Sequence, residues 1–337
     1  MKLYLFLDLT NCKFVKLPRI FLISILCLLC CQTAVANWSR QKSGTLAWLR
    51  AVHFVDSENG WIAGSNGTLL VTGDGGRNWK RSSKFTDDNI RDVYFIDRMK
   101  GWLLCERDIY GSGGNSPSYL LKTSDGGINW ERINFAGETP RLLRIIFTKS
   151  GQGFAFGEGG AFGSLLDDGK IWKRNLLPVQ YLIAGGAFLD ELSGVLVGGG
   201  GTVLFTGDGG SEWTRATTSE SARTKLNSVF FANKKNGWTA GAKGKIYVTR
   251  NGGMLWREQT SGTGEDLLDI SFLNQSEGFA VGDKGTILRT TTGGETWTTE
   301  STNSKNRLER IIFVGRKGYT VGFGGEILTY DPPKAIR

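Results

Sequence analysis

Histidine occurs once in the 337 residues, at His53, which excludes nucleophile–histidine–acid triads and multi-histidine metal sites at the outset. Cysteine is nearly as scarce where it would matter. Cys12, Cys27, Cys30 and Cys31 crowd the first 36 residues, and only Cys105 lies beyond them. No intrachain disulfide can therefore brace residues 37–337, which must hold together through an apolar core and hydrogen-bonded ladders. The apolar run from Ile20 to Cys31 has 12 residues, too short to span a bilayer. Long basic runs are also missing. Four of the 41 basic residues and one of the 32 acidic residues fall in 1–36, leaving 37 against 31, a net charge of +6. An excess spread in this way points to an anionic partner or a membrane surface rather than to nucleic acid.

What is present begins with a targeting segment. Lys2, Lys13, Lys16 and Arg19 precede the apolar run, and Ala34-Val35-Ala36 follows it. This is the pattern of a secretory signal peptide cleaved after Ala36, so residues 1–36 are expected to be removed on export. Lipidation at Cys30 or Cys31 is the alternative, against a poor lipobox.

Residues 37–337 are dominated by self-similarity. Tryptophan recurs at Trp38, Trp79, Trp130, Trp172, Trp213, Trp256 and Trp297, a period of about 42 residues with one longer gap before Trp130. Before most of these stands Ser/Thr-x-Asp-x-Gly-x-x-Trp, clear in Thr72 to Trp79, Thr123 to Trp130 and Thr206 to Trp213. It weakens around Asp167 and Trp172, and Asn251 or Thr292 replaces the acid before Trp256 and Trp297. Upstream lie an alternating apolar strand, such as Leu49 to Phe54, and Gly-aromatic-x-x-Gly, such as Gly60 to Gly64. Each period thus reads as four short antiparallel strands joined by glycine-rich turns. The predicted fold is all-β: a seven-bladed β-propeller of four-stranded antiparallel blades. The last repeat ends at Tyr330 without its tryptophan, whereas Trp38-Ser39-Arg40 is an orphan fourth strand. The N-terminal strand is therefore expected to close the last blade and hide both sheet edges.

The Asp-containing motif is that of the bacterial neuraminidase repeat, or Asp-box. With its Gly-Trp-x-x-Gly element, the whole period resembles the photosystem II stability/assembly factor family over essentially residues 37–337. The resemblance implies a periplasmic or thylakoid-lumenal seven-bladed scaffold, not an enzyme, that binds a newly made membrane subunit. It implies a protein client, a membrane-protein segment, near a membrane surface, with no cofactor or metal. Two other readings stay open. One is a glycan-acting, sialidase-like hydrolase or lectin, although sialidases have six blades and the Arg-Ile-Pro signature is absent beyond residue 36. The other is an envelope interaction module in a non-photosynthetic bacterium.

Asp74, Asp125, Asp167 and Asp208, with Asn251, recur one per blade, so they cannot converge on one site and are expected to stitch turns. Features that do share a face differ. Blades of this kind send the D–A and B–C connections to one side of the ring and the A–B and C–D turns to the other. Arg50, Arg91, Arg141, Arg144, Arg307 and Arg310 gather near the start of strand A. An insertion in the second repeat carries Arg107 and Tyr110 into a B–C connection on that same side. These eight residues are the candidate partner-binding set, the arginines being suited to gripping carboxylates. The competing reading makes them solvated surface arginines and a tolerated loop.

Overall fold

In a computed structural model, residues 37–107, 117–135, 139–167, 171–218 and 223–332 are described. Tyr110, with the insertion beyond Arg107, and the 1–36 segment lie outside them. The strand-like marks become strands A to D of seven sheets. The first blade comprises Leu49–Phe54, Gly60–Gly64, Leu69–Thr72 and Lys80–Arg81. The second to sixth begin at Asn89–Phe95, Leu142–Phe147, Ile183–Phe188, Leu226–Phe231 and Leu267–Phe272. The seventh combines Leu308–Val314, Lys317–Gly322 and Ile327–Asp331 with Asn37–Arg40 from the other end of the chain. Trp38 pairs with Tyr330 in that ladder, and the Ser39 and Thr329 hydroxyls hydrogen-bond at 2.8 Å. The ring is closed by its first strand.

The Gly-aromatic element has a packing reason. Phe54 of strand A lies over Gly60 of strand B, where a Cβ would come within 2.6 Å of the ring. The aromatic after that glycine reaches into the next blade. Trp61 stacks on Phe95 at 3.7 Å, Trp238 on Phe272 at 3.7 Å, and Tyr319 on Phe54 at 4.6 Å across the closure. Each such pair adds about 0.5–1.5 kcal/mol beyond its area burial. Val195 takes this place in the fourth blade and packs in one apolar cluster with Phe231 of the fifth.

The Asp-boxes close the C–D turns. The Asp74 carboxylate accepts bonds from the Thr72 hydroxyl (2.8 Å) and the Asn78 amide (3.0 Å), while the Gly76 amide donates to Thr72 Oγ1 at 2.9 Å. These donors hold the Asp74 carboxyl down to about 2, the Asn78 amide first among them. Asp125 and Asp208 repeat the arrangement. Asn251 accepts from Leu255 N at 3.0 Å, and Thr292 accepts from Thr296 N at 2.9 Å. Trp213, Trp256 and Trp297 are buried beneath their boxes. The third copy departs from the pattern. Its ladder runs on to Leu166 against Ile171, with Trp172 inside it, and Asp167 takes a left-handed φ of 47°.

Two details were not expected. Thr217–Thr218, in the connection to the fifth blade, pairs in parallel with Leu255–Gln259 and gives that sheet a fifth strand. Every A strand also carries a register shift near its start, between Leu49 and Ala51 in the first blade, between Ile90 and Asp92 in the second and between Leu308 and Arg310 in the last. A bulge re-aims side chains. Here the residue skipped at the shift lines the channel mouth in each blade, and the one after it lines the channel in every blade but the first.

Candidate functional site

The A strands surround a central channel, and its open end on the D–A and B–C side is the candidate site. A cavity of 370 Å³ at this mouth is bordered by Trp48, Arg50, Arg91, Arg144, Arg307 and Arg310, among others. Five of the six arginines expected near strand A therefore share one concave surface. The sixth, Arg141, stands behind it. Its guanidinium meets Glu106 at 2.9 Å, and Glu106 also holds Arg91 at 3.0 Å. Arg307 is held by Asp283 and Glu309, both at 2.8 Å.

Arg50 is different. Its Cζ lies over the Trp48 ring, 4.0 Å from the centroid, and its Nε is buried with no hydrogen-bond partner among the described residues. Burial, then the neighbouring Arg91 charge, pushes its guanidinium down to about 10. It stays protonated at neutral pH, and the Glu309 and Glu106 charges only partly offset that drop. A buried, unbonded charged donor is costly, and an incoming carboxylate would relieve that cost.

Below the mouth the channel widens into a cavity of 460 Å³ that Arg144 and Arg310 also border. Its polar groups are few and matched. Asp92 accepts the Ile145 amide of the next blade at 3.0 Å and faces Arg310 at 3.7 Å. Asp269 accepts the Ile311 amide at 2.9 Å and the Ser228 hydroxyl. Burial raises both carboxyls above their ordinary range, and the Arg144 charge opposes that rise. His53 binds the Phe95 carbonyl through Nε2 at 2.8 Å, and burial keeps it neutral. The lone histidine is thus a brace between the first and second blades. Cys105 is fully buried, and burial pushes its thiol up.

The structure redistributes the arginine set read from sequence. Arg50, Arg91, Arg144 and Arg307 face the mouth, whereas Arg310 is only 8% exposed and turned toward Asp92. Arg107 points to the outer edge of the second blade, where it donates to Asn134 Oδ1 at 2.7 Å and lies 4.9 Å from the Tyr119 ring. Sequence reasoning missed the acids that answer these arginines: Glu106, Glu309, Asp283, Asp92 and Asp269. It also missed Trp48. A signal existed, because Asp92 and Asp269 stand where other A strands carry Ala51, Gly185 or Ser228.

The chain matches the family described as photosynthesis system II assembly factor YCF48 over residues 31–109, 164–260 and 255–331. No curated protein sequence matches it. Among solved structures it is similar to one described as YCF48 bound to D1 peptide, with a TM-score of 0.74, 22% identity, and coverage of 90% of this chain and 98% of that one. YCF48 from Cyanidioschyzon merolae superposes with a TM-score of 0.72 at 20% identity, covering 88% and 99% of the two chains. Virginiamycin B lyase from Staphylococcus aureus gives 0.70 at 13% identity over 88% and 100%, a likeness of fold alone. With the family's own repeat matched across most of the ring, this chain belongs to the photosystem II assembly factor YCF48 family.

Proposed function

We propose that the chain is an exported scaffold that holds a segment of a membrane-protein client in its arginine-lined mouth, and that it acts by binding rather than by catalysis. The observation that carries this reading is Arg50, a half-buried guanidinium on a concave surface whose Nε finds no hydrogen-bond partner among the described residues. Arg144 beside it borders both cavities. A relative in the family is described as bound to D1 peptide, and by kinship an acidic segment of such a subunit is the client proposed here. The lone histidine is committed to the Phe95 carbonyl, which supports a binding role over acid–base chemistry. Residues 1–36 would direct the chain to the periplasm or thylakoid lumen, leaving a mature protein that starts at Asn37. Among the described residues no helix is long and apolar enough to cross a membrane.

The test is fluorescence anisotropy with a labelled D1 peptide. Wild type should bind with an affinity that falls as salt rises, and Arg50→Glu/Arg91→Glu/Arg144→Glu should abolish binding. A triple variant that melts like wild type and still binds the peptide removes the proposal.

A further inference from the structure

Beside the arginine cavity, on the same side of the ring, stands a group of large apolar side chains that the fold leaves uncovered. Leu46 is 88% exposed and Phe323 is 52% exposed. Leu46 lies in the connection leading to the first blade, and Phe323 lies in the B–C turn of the seventh. The Gly325 amide donates to the Ala47 carbonyl at 2.8 Å, and the Phe323 amide donates to the Arg307 carbonyl at 2.9 Å, so both segments are fixed against the rim. The Phe323 ring meets the Trp48 ring edge-on at 5.7 Å. Trp48 is in turn covered by Arg50 at 4.0 Å, and its indole Nε1 donates to Glu309 at 2.8 Å. One indole therefore joins an apolar shelf to a guanidinium whose Nε is unbonded among the described residues.

Scattered exposed apolar residues need no explanation, but two large ones on hydrogen-bonded neighbouring segments of one rim call for one. Its occupant must suit both halves. The cationic side asks for a carboxylate, and the Leu46/Phe323 side asks for an aliphatic or aromatic side chain. Resting on the function proposed above, we infer that the mouth reads a two-part signal in its client: a carboxylate seated at Arg50 and an apolar side chain laid on Leu46, Trp48 and Phe323. An extended peptide advances ~3.3 Å per residue, so the two groups would lie about two to four residues apart. The carboxylate supplies the charge-dependent part of binding, and the apolar residue sets which acidic segment is chosen. An anionic lipid has the same two kinds of group, but the site is a concave cavity walled by the A strands, which favours a peptide over a flat bilayer surface.

The probes are labelled acidic peptides identical except for one position, Leu or Gly, placed two, three or four residues from the terminal Glu. Wild type should prefer Leu at one spacing by about tenfold, the scale set by burying one such side chain. Leu46→Ser/Phe323→Ser should lose that preference while keeping the affinity and salt dependence of the Gly peptide. Arg50→Gln should weaken the Leu and Gly peptides alike. Acidic peptides that bind wild type with no preference for Leu, equally well in the shelf variant, overturn the shelf and leave the arginine mouth standing. Failure of wild type to bind any acidic peptide, or binding instead to phosphatidylglycerol vesicles that the shelf variant loses, overturns both.

Discussion

The two rims of the ring are built from the same repeats and obey opposite rules. On the Asp-box rim, Asp74, Asp125, Asp208, Asn251 and Thr292 make nearly the same bonds with different atoms. On the mouth rim, one position of strand A is Arg50, Arg91, Leu143, Ala184, Asn227, Leu268 and Glu309 in turn. The first rim tolerates changes of chemistry as long as the turn closes. The second varies its chemistry from blade to blade over a constant backbone bulge. Where a ring needs the same thing seven times, repeats agree; where one partner must be met by seven blades at once, they diverge.

The largest expected effect tests the ring itself. Trp238 is fully buried, stacks on Phe272 and donates its indole N–H to the Gly293 carbonyl of the next blade at 2.9 Å. Trp238→Ala should cost about 3–5 kcal/mol in denaturant unfolding, while the folded fraction binds peptide as wild type does. Loss of affinity without loss of stability would join the two rims' roles and break the comparison. Next in size is Arg50→Gln, which removes that guanidinium and its unbonded Nε. Peptide affinity should fall about tenfold, roughly 1.4 kcal/mol, while the melting temperature holds or rises because a buried unbonded donor has gone. A marked drop in melting temperature would make Arg50 a structural brace.

Smaller still is a pH effect from the channel. Burial raises the Asp92 carboxyl in the folded state. Such a group favours the folded protein below its unfolded value, and that contribution fades as pH rises through the folded one. Asp92→Asn keeps an acceptor for the Ile145 amide and cannot titrate. The stability of wild type relative to the variant should therefore grow as pH is lowered toward the ordinary carboxylate range, read as melting temperature against pH. A constant difference would mean that the charges facing Asp92, Arg144 foremost, cancel the effect of burial.

The ring was legible in the sequence because its determinants are periodic. Trp38, Gly60-Trp61 and the Asp-boxes each solve a problem that every blade poses, and Trp38 without a repeat before it marks the split blade. The site was legible only in half. Arg50, Arg91, Arg144 and Arg307 stand out as arginines gathered at the start of strand A, but their acids come from other places. Glu106 ends a B strand, Asp283 sits in a turn of the sixth blade, and Asp92 meets Arg310 across the channel. Pairings made once in the ring, such as Arg307 with Asp283 and Arg310 with Asp92 between blades, leave no period to read. Thr217–Thr218 was hidden for a related reason, since two residues are too few to show alternation.

The smallest effect belongs to the Asp-box rim, and it is sharpest as a contrast between two copies of one turn. Asn251 already makes the bonds that Asp74 makes, accepting the Thr249 hydroxyl at 2.9 Å and the Leu255 amide at 3.0 Å. Asp74→Asn should therefore leave the melting temperature at neutral pH almost unchanged. The two should separate in acid. The Asp74 carboxyl is held down to about 2 by the amides of its own turn. Its contribution is full above the unfolded value of about 3.9 and is lost as pH falls through the folded one. An asparagine loses nothing over that window. Wild type should melt lower than the variant near pH 2, and the difference should vanish by about pH 5. If the variant is as acid-sensitive as wild type, the box holds its turn through hydroxyl and backbone alone, and the carboxylates serve only solubility.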